Sequence, residues 1–445
     1  MIRFRRDSTW RQPGDGRVVL AGSPLRLFRL STGGAAVIER ALEGGQPDTD
    51  PVARMLDRFV EAGALHPQPD SSPFTAADVT VVIPVFGTAP TPPTGVRTVM
   101  VDDASTPPVD APPSCTVLRR ETNGGPAAAR NTGLAAVDTP LVAFIDADVI
   151  VDDGWLEPLL AHFSDSRVAL VAPRVASAEV PGLLGRYEQR HSPLDLGTEP
   201  ARIAAGTRVS YVPAAALVCR TEVIRSLGGF DESMRMGEDV DLLWRLVDAG
   251  HRARYEPASV VHHRPRSTVS AMLRQRTGYG RSAAPLARTH RGALAPARMS
   301  GWSAAVWALA AWRRPALAAL VAAGTAVALA RKLRDLPPAE AVRLTMLGHL
   351  AAGRQLAKAA TRVWWPIVVV VALLPRPVRP NLRLLAAGWV AASMAGKDAE
   401  ELRHLPLLLA DEVAYGAGVW QGVVTQREAG PLLPDFTTWP RRGDG

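Results

Sequence analysis

The middle of this chain predicts an α/β fold on a mostly parallel, doubly wound sheet, with a small α+β module before it and a helical region after it. Three observations carry that expectation. Short β-rich runs alternate with helical stretches over 78–265, the pattern that builds parallel sheets. Two of those runs stop abruptly at acidic pairs, Asp102-Asp103 and Asp146-Ala-Asp148. From about residue 268 the composition shifts toward Ala, Leu, Val, Trp and Arg.

The first module spans about 1–70. Arg17–Leu20 and Leu25–Leu30 read as short strands around a Gly-Ser-Pro turn. Ser31-Thr32 could cap a helix through Ala36–Leu42, stopped by Gly44-Gly45. Asp50-Pro51 opens a second helix with Val52, Met55, Leu56, Phe59 and Val60 at helical spacing, ending at Gly63. Leu65-His-Pro67 leads out into a linker, Gln68–Pro73.

The sheet domain is expected over 78–290. Its strands are Val79–Ile83, Arg97–Val101, Cys115–Leu118, Leu141–Ile145 and Val168–Val171. One connection is anomalous: Gly87–Val96 is a proline-rich stretch too short for a crossover helix. The last region, 291–445, carries apolar runs at 302–311, 315–330, 364–374 and 384–395. Arg313-Arg314, Arg331-Lys332, Arg362 and Arg376 flank them, with Trp302, Trp312, Trp364 and Trp365 near the ends. None reaches the roughly 20 residues of a comfortable span. Basic and tryptophan flanks suit the cytoplasmic membrane interface, so membrane contact by interfacial or short spanning helices is expected.

Charge agrees. The net +8 is regional, since 257–334 hold no acid but twelve arginines and one lysine. Such a stretch could meet phosphate, nucleic acid or anionic lipid, and its apolar neighbours favour lipid. Cys115 and Cys219 form no spaced framework, which points to a reducing compartment. No apolar segment follows Met1–Arg6, so a secretory signal is not expected.

The acidic pairs carry the chemistry. Alternation along a strand would send Asp146 and Asp148 to one side, where two hard oxygen donors suit Mg²⁺ or Mn²⁺ on a diphosphate. Asp102 and Asp103 could accept from a ribose hydroxyl or a base N–H. Asn123-Gly124-Gly125-Pro126 opens a helix, so free N–H groups and Arg130 could face phosphate. Gly237-Glu238-Asp239 opens an amphipathic helix; its carboxylates are either dipole partners or a general base oriented by the helix end and Arg245. His262 and His263 end an apolar strand and could complete a metal shell.

In order and spacing these motifs resemble the family-2 glycosyltransferases of GT-A fold, over about 79–290. The resemblance implies a Rossmann-like sheet and inverting transfer from a nucleotide-diphosphate sugar. By it, Asp102, Asp103, Asn123, Gly124, Arg130 and Asp146 bind the donor, while Asp148 with His262 or His263 holds the divalent metal. Asp239 becomes the catalytic base and Glu238 touches the acceptor. Two features depart from the pattern: the helix missing after Val85, and Arg274-Gln275-Arg276 in place of the Gln-x-x-Arg-Trp of processive synthases.

The first module looks like the peptide-chaperone domains of peptide-cofactor pathways, which bind a leader peptide by strand addition. The whole arrangement is similar to the glycosyltransferases of the mycofactocin system. That implies β-1,4 glucose transfer from UDP-glucose onto the peptide-derived redox cofactor or its precursor, at the cytoplasmic face of the membrane. Two other readings stand beside it. One is a membrane transferase building cell-wall or exopolysaccharide on a lipid-linked acceptor, which leaves 1–70 unused. The other is a non-enzymatic nucleic-acid or peptide-binding protein, which gives the carboxylates no role; nucleic acid is not an expected partner. Oligomeric state is left open.

Overall fold

The computed structural model describes residues 2–14, 16–375, 381–394 and 401–437; Arg376 lies outside them. Its contacts divide the chain into two compact units, Met1–Pro265 and Arg266–Gly445.

The first unit begins with β1 (Ile2–Arg6), β2 (Val18–Ala21), β3 (Arg26–Arg29), α1 (Thr32–Leu42), α2 (Asp50–Glu61) and β4 (Leu65–Pro69). Strands β2 and β3 form a hairpin, and the Ser31 hydroxyl caps α1 by accepting from the Gly34 N–H at 3.1 Å. Residues 65–69 are not merely an exit: β4 pairs antiparallel with β1. Pro67 and Pro69 hide that strand in the sequence, but a two-stranded ribbon has edges where a missing N–H is tolerated. Phe59, Leu56, Ile38, Val19 and Leu65 give these elements a core of their own.

The sheet elements follow: β5 (Val79–Val85), β6 (Arg97–Asp102), β7 (Cys115–Arg119), α3 (Pro126–Ala135), β8 (Leu141–Ile145), β9 (Val149–Val151), α4 (Glu157–Ala161), β10 (Val168–Ser177), α5 (Leu183–His191), β11 (Ala201–Arg202), β12 (Ala216–Arg220), α6 (Thr221–Ser226), α7 (Glu238–Asp248) and β13 (Arg252–His263). Nine strands join in the order β11-β13-β10-β12-β8-β5-β6-β7, with β9 on β13. The block β8-β5-β6-β7 is parallel, as is β10-β13. An antiparallel strand, β12, is wedged between the blocks, pairing with β8 and β10. Strands β5 and β8 are buried over nearly their whole length, which explains their continuous apolar runs. The link from β5 to β6 contains no helix; 86–96 is an open loop, tied by the Gly87 N–H to Ser105 Oγ (2.9 Å).

The second unit holds α8 (Val269–Arg281), α9 (Ala283–Thr289), β14 (Arg298–Met299), α10 (Gly301–Ala311), α11 (Pro315–Lys332), α12 (Pro338–Arg362), α13 (Trp365–Ala372), α14 (Leu382–Met394), α15 (Leu405–Gln426) and β15 (Asp435–Phe436). The break falls at Pro265 rather than near 290, because α8 packs on α15. Their backbones approach so closely that a Cβ on Gly280 would lie 2.0 Å from the Tyr415 carbonyl, and one on Gly418 2.0 Å from that of Thr277. Arg276 seals the contact with an ion pair to Asp411 at 3.0 Å.

Candidate active site

The site is assembled where β5, β6 and β8 end, the edge at which open α/β sheets receive ligands. Strand β8 stops at Ile145, so Asp146 and Asp148 sit in a turn, closed by the Val149 N–H donating to the Asp146 carbonyl (3.0 Å). Strand alternation therefore does not govern them, and each carboxylate has its own partner. Asp146 meets Arg130 at 2.5 Å. Asp148 faces His263, with Nε2 at 3.3 Å from Oδ2.

The strand β9 explains the second pairing. It follows Asp148 directly and pairs antiparallel with β13, setting Val149 opposite His263 and Ile150 opposite His262. Adjacent residues on β13 point to opposite faces. His262 accordingly turns away, toward Asp152 at 3.7 Å, and is not a partner of Asp148.

Arg130 does not face a phosphate. It is buried, spending Nη2 on Asp146 and Nη1 on Glu238 (2.7 Å), with its guanidinium 5.3 Å from the centre of the Phe230 ring. Burial pushes the Asp146 carboxyl up, the charges of Asp148 and Glu238 add to that, and Arg130 opposes it. Neighbouring Asn131 clasps the 228–232 loop: its Oδ1 accepts from the Phe230 N–H and its Nδ2 donates to the Phe230 carbonyl, both at 2.9 Å. A Cβ on Gly229 would meet that Oδ1 at 2.4 Å, so glycine is required there.

Asp239 lies half-buried in the first turn of α7, after Gly237 in a left-handed conformation (φ 86°). Its Oδ2 accepts from the Ala214 N–H (3.0 Å) and its Oδ1 from the Val240 N–H (2.8 Å). Burial, and then the Glu238 charge beside it, push its carboxyl up to about 7. Arg245 does not orient it; that side chain bonds Asp241 (2.7 Å) and the carbonyls of Leu227 and Gly229. The orienting element is 214–215, which sequence reasoning missed. Ala214 holds Asp239, and the Ala215 carbonyl accepts from the Asp146 N–H at 3.0 Å, so consecutive residues index one carboxylate to the other.

Asp102 and Asp103 are buried and already satisfied. Asp102 accepts from the N–H groups of Ser105 (2.8 Å) and Val109 (3.2 Å) and pairs with Arg119. Burial works to raise its carboxyl, but those donors outweigh it and hold it below the usual range. Asp103 takes Arg120 Nε (2.9 Å) and the amides of Gly124 (2.9 Å) and Gly125 (2.7 Å). The glycine-turn amides are thus turned inward, and Asn123 donates to the Asp103 carbonyl at 3.2 Å. Arg119 and Arg120 were also missed; their signal is position, since β7 pairs in register with β6 and sets Arg119 beside Asp102.

A cleft of about 510 Å³ borders Asp148 and Arg264, walled by the proline-rich loop and 151–157. Asp239 and Asp146 do not line it. Among the described residues no group of three or more His, Cys, Asp and Glu side chains is set to hold a metal. Asp148 with His263 is a two-donor arrangement, one hard oxygen and one imidazole nitrogen, with Asp148 about one-third exposed.

The family model described as "Glycosyl transferase family 2" matches residues 93–227, covering both strand-end acidic pairs and the glycine turn. The "Pre-mycofactocin glycosyltransferase" of Mycobacterium tuberculosis is 40% identical over 453 residues, with 96% of each chain covered. The chain belongs to the family-2 glycosyltransferases, together with that relative. More distantly, this glycosyltransferase is 27% identical over 168 residues to polypeptide N-acetylgalactosaminyltransferase 6 of Bos taurus, covering 33% of the chain and 27% of the relative. A solved mannosyltransferase of Pyrobaculum calidifontis, in complex with GDP-mannose and Mn²⁺, aligns with 82% of the chain and 92% of its own at 17% identity and a TM-score of 0.41.

Proposed function

We propose that this glycosyltransferase moves glucose from UDP-glucose, with inversion, onto the peptide-derived cofactor mycofactocin or its precursor, giving a β-linked and specifically β-1,4 product. The identity to the pre-mycofactocin enzyme along nearly the whole of both chains supports the acceptor class. The observation that carries the chemistry is Asp239: a half-buried carboxylate with a raised pKa of about 7 is matched to general-base work near neutrality.

In this mechanism the acceptor hydroxyl attacks the anomeric carbon on the face opposite the diphosphate. Its proton passes to Asp239, and the breaking C–O bond leaves its electron pair on the departing diphosphate. One displacement converts an α-linked donor into a β product. Asp148 and His263 would hold a divalent Mn²⁺ or Mg²⁺, one through a carboxylate oxygen and the other through an imidazole nitrogen. Such an ion supplies Lewis-acid stabilisation of the leaving group when bound. Arg130 keeps Asp146 and Glu238 in place, and Glu238 is the acceptor-side contact.

The module of β1–β4, α1 and α2 is proposed to bind the peptide by strand addition at a ribbon edge. Membrane association at the cytoplasmic face is proposed for the second unit. By length and composition α11 could cross a membrane, and 11% of it is buried. Trp302, Leu320, Val370 and Leu373 also stand exposed, Leu373 at 82%. If the full chain stays in the high-speed supernatant without detergent, that placement is wrong.

The deciding experiment is a turnover and binding panel of UDP-, GDP- and TDP-sugars with Mn²⁺ or Mg²⁺, with and without precursor peptide. Selective, metal-dependent use of UDP-glucose is expected. Preference for another donor would remove glucose from the assignment.

A further inference from the structure

A group of arginines collects away from the carboxylates just described, where the end of α2 meets the β11–β13 edge. Arg202 on β11 lies directly opposite Arg254 on β13 in an antiparallel pair, and Arg252 is two residues along the same face. Like charges directly opposite each other destabilise a sheet. Both Arg252 (8% exposed) and Arg254 (4%) are buried.

The nearby acids do not resolve this. Arg252 binds Asp57 and Asp165, each at 2.6 Å, and also Glu61. Arg167 takes Asp57 through both Nη groups, at 2.8 and 2.9 Å, and Asp165 at 3.1 Å. The three carboxylates are thus committed to two arginines. Arg254 is left with Nη1 buried and without a hydrogen-bond partner, a costly state for a charged donor. Burial, then the charge of Arg252, pull its guanidinium down to about 10. Arg202 is depressed likewise, by burial first and by Arg26 and Arg252 against Glu61.

All three arginines line a cavity of about 120 Å³. Glu61 alone among its described lining residues is acidic, and Glu61 is taken by Arg252. The volume suits one small oxyanion and is far below the ~300 Å³ at which drug-sized ligand pockets begin. Planar guanidinium forks match phosphate and carboxylate geometry.

We propose that Arg202, Arg252 and Arg254 form an oxyanion-binding site, taking a single phosphate- or carboxylate-class group at the junction of the N-terminal module and the sheet. The bound anion satisfies Arg254 Nη1, offsets the facing charges of Arg202 and Arg254, and ties α2 to the sheet edge.

The test is thermal unfolding of the full chain in inorganic phosphate, acetate or chloride at matched ionic strength. At about five times its dissociation constant, the specific anion should raise the melting temperature by roughly 1–2 °C. Arg254→Met and Arg202→Gln should each abolish that response, the second serving if the first does not fold. Asp148→Ala should keep it, separating this site from the donor site. A shift with phosphate alone assigns phosphate, and one with acetate assigns a carboxylate. Equal responses in wild type and both arginine variants, or no response of wild type to either anion, would overturn the proposal.

Discussion

Two acidic pairs stand at the ends of β6 and β8, the strands that flank β5 in one sheet, and their surroundings differ in kind. Asp102 and Asp103, at the end of β6, are buried under donors from their own chain: two arginines and four backbone amides. Asp146 and Asp148, just past β8, are about one-third exposed, with Asp146 on Arg130 and Asp148 beside His263. A buried carboxylate saturated by its own chain fixes a loop; a partly exposed one at a sheet edge can be reached by a ligand. The contrast extends to Asp239, whose two amide bonds leave it still driven upward by burial. On the proposed mechanism the first pair is scaffold and the second, with Asp239, is machinery.

That division can be broken by measurement. The largest effect is expected at Asp239. Asp239→Asn should lower kcat at least about 100-fold, the usual cost of losing a general base, with donor affinity unchanged. Full turnover in that variant would remove Asp239 from the mechanism. Next, Asp148→Ala should abolish the Mn²⁺-dependent part of UDP-glucose binding, measured by calorimetry with and without chelator. His263→Ala should weaken it by about 10–100-fold, using outer-shell substitutions as a lower guide. His262→Ala should leave it intact; an equal loss at both histidines would contradict the orientation of β13. Asp103→Ala should behave differently again. It leaves Arg120 and two amides without their acceptor, so about 3 kcal/mol of stability should go, seen in denaturant unfolding. The donor KM of the folded fraction should not change, and a selective rise in KM would restore Asp103 to the nucleotide site.

These contrasts mark where the sequence was readable. Strands β5, β6, β8 and β10 announce themselves as continuous apolar runs because both faces of the sheet are covered. Strand β12 does not, since Ala216–Arg220 is five residues following an alanine run with no periodicity of its own. The carboxylates were legible as residue types at element ends, but their division of labour was not. It depends on partners far along the chain: Arg130 and Glu238 are separated by 108 residues, and Asp239 finds Ala214 across 25. Spacing shows that a side chain arrives at an edge and says little about which donors meet it there. Alternation does not apply to Asp146 and Asp148 for a local reason, because the strand ends at Ile145, three residues short of Asp148.

The smallest expected effect is the most specific to the raised carboxyl of Asp239. Its folded pKa of about 7 exceeds the ordinary aspartate value of about 4, so between those values the folded chain holds a proton that the unfolded chain has released. Acidification through that window therefore favours folding, and ionisation costs stability in full above about pH 7. Activity runs the other way, since the base must be ionised: kcat should rise with pH and level off above about 7. Asp239→Asn removes the ionisation cost but gives one acceptor oxygen where the carboxylate receives two backbone N–H groups. The gain should be correspondingly modest, about 2–4 °C in melting temperature at pH 8, shrinking as pH falls below 7 and gone near pH 4. A variant less stable than wild type at pH 8, or a difference independent of pH, would show that Asp239 ionises at an ordinary value and that its two amides, rather than its burial, decide its charge.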